Sequence, residues 1–180
     1  MAAILSDEDE IMDLVDQNDE VVGSITHDKI YDRQNVGQNF IRAANVFLVN
    51  DKGQLWIPKR TAHKKIAPNG LDYSAGEHVQ AGETYRAAAV RGLQEELNLN
   101  VAADDLTFIA KRVPTDDGSI YFTELYTLSY NDVPDYNSDD FVSYEWLAPA
   151  ELLTILASGV PSKPSLATAV ELYLAHHTKQ

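Results

Sequence analysis

Glu95 and Glu96 stand side by side in the run LQEELN, and two adjacent carboxylates at the end of a helical stretch can do chemistry. They repel one another and gain little from water alone, but hard oxygen ligands at this spacing can hold a magnesium ion. A solvated acidic helix face uses the same pair, so the surroundings must decide between the two. Upstream, Glu83 and Arg91 can form an ion pair that fixes the preceding loop against the helix. Gly76 and Gly82 bracket that loop, letting the backbone approach a ligand and bringing carbonyl oxygens toward the helix face. A purely structural salt bridge would look the same.

The helix that must carry these groups is expected over Thr84 to Asn98. At about 100° per residue, Ala88, Gly92, Glu95 and Glu96 fall on one side, with Val90, Leu93 and Leu97 roughly opposite. One face packs and the other presents acid. Met12 to Ile25 reads as two short strands around a polar turn, and Thr26 to Gly37 is polar without a decisive period. Ile41 to Val49, the turn Asn50-Asp51-Lys52-Gly53 and Gln54 to Pro58 predict a hairpin with Trp56 and Ile57 partly buried. Further strands are expected near Leu71 to Ala75, Thr107 to Val113, Ile120 to Leu128 and Phe141 to Leu147, with a turn at Thr115-Asp116-Asp117-Gly118. Ala148-Pro149 opens a helix to about Ala157, and Pro164 to His176 forms the last one. This order predicts a mixed sheet covered by helices on both sides. Residues 1–10 are acidic and expected to be disordered, and residues 11–180 to form a single domain.

The stretch from Ser74 to Asn100 resembles the Nudix box, a pattern of Gly, five residues, Glu, seven residues, then Arg-Glu-apolar-X-Glu-Glu-X-Gly-apolar. Glu83, Arg91, Leu93, Glu95, Glu96 and Leu99 fall in register, as does the preceding loop glycine Gly76. LVDQNDEVVG, LWIPKR, Lys64, Pro68 and YEWLAPAEL extend the resemblance over roughly residues 12 to 155. These stretches are similar to the Nudix hydrolase family, on the branch that includes the isopentenyl-diphosphate isomerases. The resemblance implies an α/β (α+β) fold, the Nudix-type α/β/α sandwich with a mixed sheet, and it is compatible with a homodimer. It also implies that Glu95 and Glu96 bind metal with the Gly76 carbonyl, while Glu83 orients Arg91.

Three positions depart from the pattern: the box glycine is Glu77, the glutamate after Arg91 is Gly92, and the closing glycine is Asn98. Asparagine also tolerates the left-handed conformation that ends a helix. Gly92 removes a carboxylate expected at the metal and weakens a helix interior by about 1 kcal/mol relative to alanine. The first two exchanges are opposite in sense. Glu77 is therefore expected to reach across the loop into the space left at Gly92 and return a carboxylate to the metal site. The alternative is that Glu77 points to solvent and the site is weakened.

The activity implied is magnesium-dependent hydrolysis, with Mn2+ as an alternative ion, of a diphosphate linkage in a nucleoside di- or triphosphate or a related nucleoside diphosphate derivative. Glu96, Glu95, Arg91, Glu83 and Glu77 are the candidate catalytic residues, with Glu95, Glu96, Gly76 and Glu77 as metal ligands. The general base is left among Glu96, Glu77, Asp116, Asp117 and Asp140. Arg60 and Lys64, in the basic run from Lys59 to Lys65, are candidates for the positive charge near the leaving group, and His78 for substrate contact. Solvated loop charges and an ordinary surface histidine are the alternatives for these three. Trp56, Tyr73, Tyr85 and Tyr121 can stack on a base or pack the core. A Nudix-fold nucleotide-binding protein of weakened activity is the competing reading, with Gly92 as its support. Isomerase chemistry is disfavoured, because those relatives use a cysteine and this chain has none.

Composition narrows the field further. The 180 residues are 44% hydrophobic and include no cysteine, which excludes disulfides, thiolate zinc sites and cysteine nucleophiles. A formal net charge of −14 repels a nucleic-acid backbone. A small phosphorylated substrate then requires metal ions and a few basic residues to reverse the sign locally. With no long apolar run and no basic leader, no membrane contact is expected, and the cytoplasm is the expected compartment.

Overall fold

The run IMDLVDQNDEVVGSIT folds into the expected hairpin, β1 (Ile11–Val15) and β2 (Val21–Thr26). Asp16 closes the turn by accepting from the backbone N–H groups of Asn18 and Glu20 at 2.8 and 3.1 Å, and Asp19 supplies its left-handed residue at φ 66°. The computed structural model describes residues 10–114 and 119–178. Most of the acidic tail and the turn from Thr115 to Gly118, with Asp116 and Asp117, lie outside the described residues. The polar stretch after β2 holds a short 3-10 turn and α1 (Arg33–Val36), whose start is capped by Asp32 accepting from the Gln34 N–H at 2.9 Å.

β3 (Ile41–Val49) is the spine of the molecule. Its period of two sends Ala44, Val46 and Leu48 into one core layer and Phe47 and Val49 into the other. The expected hairpin joins it to β4 (Leu55–Arg60). β5 (Ala75–His78) pairs antiparallel with β3 and leads to α2 (Tyr85–Leu97). β6 (Thr107–Arg112) pairs with β7 (Tyr121–Ser129), which runs parallel to β3 from Ile41↔Tyr121 to Val49↔Ser129. β8 (Phe141–Leu147) closes the edge on β4 and is followed by α3 (Pro149–Ala157) and α4 (Leu166–His177). The strand order β6-β7-β3-β4-β8, with β5 also on β3, is the mixed sheet expected.

α2 packs on the face of Ala44, Val46, Leu48 and Trp56, and α3 and α4 on the face of Phe47, Leu55 and Ile57, which makes the α/β/α sandwich. Because both faces are covered, Trp56 and Ile57 are fully buried rather than partly so. Asp19 ties the first hairpin to this sandwich, accepting from Arg42 at 2.6 Å, Lys111 at 2.5 Å and the Tyr85 hydroxyl at 2.9 Å. The strand expected at Leu71 to Ala75 begins later, at Ala75. Leu71 makes only isolated bridges, to Lys59 and to Ser162. No helix among the described residues is long and apolar enough to cross a membrane.

Candidate active site

The site forms where β5 turns into α2. Along β5, Ala75 and Glu77 face α2, while Gly76 and His78 face the opposite layer. Gly82, at φ 76°, lets the loop fold back, and the Thr84 hydroxyl caps α2 by accepting from the Ala87 N–H at 3.1 Å. Asn98 ends the helix in the left-handed conformation at φ 53°, the role its closing position predicted.

Glu77 lies directly over Gly92. A Cβ placed on Gly92 would stand 2.5 Å from Glu77 Cγ and 3.5 Å from its Cβ, so only glycine admits the glutamate there. This corrects the helix faces read from periodicity. Ala88 and Gly92 belong to the buried side with Ala89, Leu93 and Leu97, because β5 and the Glu77 methylenes cover them; Val90 is only half-buried.

Arg91 gathers the acids. Its guanidinium donates to Glu83 at 3.2 Å, Glu77 at 3.2 Å, Glu95 at 3.3 Å and the His78 carbonyl at 2.7 Å, so the predicted Glu83 link forms and Glu77 joins it. Burial works against the Arg91 charge, but Glu83 and Glu77 outweigh it and raise its pKa. Glu96 turns inward and accepts from the Gly76 N–H at 3.1 Å. Burial, then the charge of Glu77, pushes the Glu96 carboxyl well above the usual range. Burial likewise pushes Glu77 up to about 7, with Arg91 opposing. Glu95 is the outermost, its side chain 53% exposed.

Two carboxylates held together in a confined space are reconciled only by a proton or a cation, and that donor chemistry fits a hard divalent ion. Glu77 and Glu96 would hold it, with Glu95 and the Gly76 carbonyl at the margin. Among the described residues no group of three or more His, Asp or Glu converges into a ready-made cluster. A divalent ion held by these acids would take its further ligands from water and substrate oxygens.

The basic residues fall out differently from expectation. Arg60 is no open hand for substrate: it is only 9% exposed, ion-paired with buried Asp72, and its Nε donates to the Ile66 carbonyl at 2.8 Å. An unpaired guanidinium at that depth would be costly, which is why Asp72 sits beneath it. Lys64 is ion-paired with Asp140, which occupies two candidates at once. His78 is stacked on Tyr121 at 5.7 Å between centroids and has His27 at 5.1 Å, and burial pushes its pKa down to about 3. Trp56 and Tyr73 are core residues, and Tyr85 serves Asp19. Lys163 was not anticipated. It lies between α3 and α4, with Nζ 3.7 Å from Asp72 Oδ1 and 3.9 Å from where a Cβ on Gly76 would be. Its flanking prolines, in VPSKPS, were the only sequence sign of a fixed backbone there.

Comparison with known proteins gives the family. The NUDIX domain family matches residues 39–168. An uncharacterised Nudix hydrolase from Nostoc sp. is 39% identical over 167 residues, covering 93% of this chain and 97% of its own. An isopentenyl-diphosphate Delta-isomerase from Pectobacterium atrosepticum is 30% identical over 142 residues, covering 77% and 76%. The crystal structure of DR0079 from Deinococcus radiodurans superposes with a TM-score of 0.80 at 37% identity, covering 90% of this chain and 98% of that one. With the box residues assembled around Arg91 and a family match spanning most of the sequence, this chain belongs to the Nudix family.

Proposed function

We propose that this Nudix hydrolase, an enzyme acting on pyrophosphate bonds, cleaves a diphosphate linkage in a nucleoside di- or triphosphate or a related nucleoside diphosphate derivative, with magnesium as its ion. The observation that carries the reading is the placement of Glu77 over Gly92 beside Glu96. The carboxylate missing from the helix has its counterpart on the strand, so the site keeps two half-buried acids. A bound divalent cation supplies neutralisation of the diphosphate oxygens and polarisation of a water molecule. The chain's own residues do the rest. Arg91 holds Glu77, Glu83 and Glu95 at fixed separations, and the Gly76 N–H fixes one oxygen of Glu96. The Arg91 charge offsets the mutual repulsion of these acids and holds them in place when substrate arrives. Glu77 and Glu96 remain the candidate bases. Asp140 is a weaker one because Lys64 engages it. Isomerisation is not proposed, since the chain has no cysteine.

The test is phosphate release from a panel of nucleoside diphosphates, triphosphates and nucleotide sugars, with and without magnesium. Turnover should require the ion, and Glu96→Gln and Glu77→Gln should each lower kcat on the order of a hundredfold or more. An unaltered rate in Glu77→Gln would sink the relocated carboxylate. Saturable nucleotide binding without turnover would favour the binding-protein reading.

A further inference from the structure

We propose that Lys163 contacts the diphosphate of the substrate, as the cation that the segment between α3 and α4 delivers to β5 at Gly76. The inference rests on the hydrolase reading for the identity of its ligand. Glu77, Glu95 and Glu96 already crowd the site, and Arg91 is engaged with Glu77, Glu83, Glu95 and the His78 carbonyl. A substrate carrying at least two more negative charges needs positive charge beyond the metal, and the two residues expected to provide it are committed elsewhere: Arg60 to Asp72, Lys64 to Asp140.

Lys163 meets the need by position. Segment 161–163 lies along residues 70–72 like a short added strand. The Leu71 N–H donates to the Pro161 carbonyl at 2.8 Å, the Lys163 N–H donates to the Leu71 carbonyl at 2.9 Å, and Leu71 bridges Ser162 in parallel. Gly70 makes the contact close enough, since a Cβ there would stand 3.0 Å from the Pro161 carbon and the Ser162 nitrogen. Pro164 then restricts Lys163 itself to extended backbone. The side chain, 25% exposed, brings Nζ to 3.9 Å from where a Gly76 Cβ would stand, and the N–H of the same Gly76 binds Glu96. Gly76 leaves Lys163 room against the strand: a Cβ there would stand 3.9 Å from the Lys163 Nζ and 2.8 Å from Asn45 Oδ1. Asp72 holds the lysine only loosely, at 3.7 Å through Oδ1, while its Oδ2 is bound to Arg60. A long, flexible ammonium on a loose tether can shift onto a phosphate oxygen without breaking a tight pair.

The probe is inorganic pyrophosphate with excess magnesium, titrated calorimetrically into the parent, Lys163→Met and Lys163→Arg, alongside the turnover panel. Saturable binding by the parent, weakened about tenfold or more in Lys163→Met and kept within about threefold in Lys163→Arg, is expected for a charge-assisted contact. A thermal melt of each variant checks folding, and Lys163→Gln replaces the methionine variant if that one melts well below the parent. Parent-like affinity in the uncharged variant, or no saturable binding by the parent, overturns the assignment. The two readings fail separately. Turnover with Lys163-independent pyrophosphate binding removes the lysine contact and leaves hydrolysis standing; Lys163-dependent binding without any turnover does the reverse.

Discussion

Gly92 and Glu77 behave as one unit, because each is acceptable only in the presence of the other. Restoring the helix glutamate alone, Gly92→Glu, drives new atoms into the Glu77 methylenes at 2.5 Å and adds a third acid beside Glu96. Overpacking of this kind costs about 1–3 kcal/mol, and turnover should fall with it. The double variant Glu77→Gly with Gly92→Glu removes the clash and moves the carboxylate back to the helix. Its melting temperature and kcat should recover toward the parent, kcat to within about tenfold, and the coupling is read from a double-mutant cycle. A double variant no better than the worse single one would mean that the two positions do not share a site. The exchange itself was legible in the sequence, since Glu77 and Gly92 sit at box positions with their types reversed. That Gly92 is buried was not legible. Helical periodicity reports a repeat, whereas burial here depends on which strand lies against which turn of α2.

At the scale of elements, α2 was placed almost to the residue by its helical period, and in the structure both of its ends carry local chemistry, the Thr84 cap and the left-handed Asn98. Thr84→Ala should therefore cost about 1 kcal/mol, lowering the melting temperature by roughly 2–4 °C. Because the helix start also fixes Glu83 and Arg91, a small loss of activity should accompany it; an unchanged melt would show that the cap contributes nothing. β5 was misplaced by several residues because LDYSAGEH carries no sharp alternation. What sets its register is pairing with β3, Asn45 against Gly76, far away in sequence. Lys163 escaped notice for the same reason: its partners, Leu71 and Asp72, come from the other half of the chain. Arg60 was expected to face substrate because a basic run gives no sign that its first members close strand β4 or that one of them will pair with a buried aspartate.

For the molecule as a whole, the acid pair should make folding stability depend on pH and on an added divalent ion. Glu77 binds its proton more tightly in the native state, up to about 7, than its ordinary value of 4.5. Its contribution is thus fully present below about pH 4.5 and is lost as pH rises through about 7, and Glu96 shifts in the same direction. His78, whose pKa is pushed down by burial, works oppositely over part of that range, so the informative quantity is a difference between variants that share it. Without metal, Glu77→Gln should gain in melting temperature relative to the parent as pH rises from 5 to 7.5. Added magnesium should narrow that gap by stabilising the parent. A gap independent of both would mean that Glu77 carries no buried charge. The net charge of −14 adds a general repulsion that magnesium also relieves, but equally in both proteins. The docking of segment 161–163 onto residues 70–72 also orders events during translation. A ribosome adds roughly 5–20 residues per second, so several seconds separate the synthesis of Glu96 from that of Lys163. Through that interval the nascent chain carries the acids without the lysine, and the proposed Lys163 contribution to holding a diphosphate arrives only after α3 has been made.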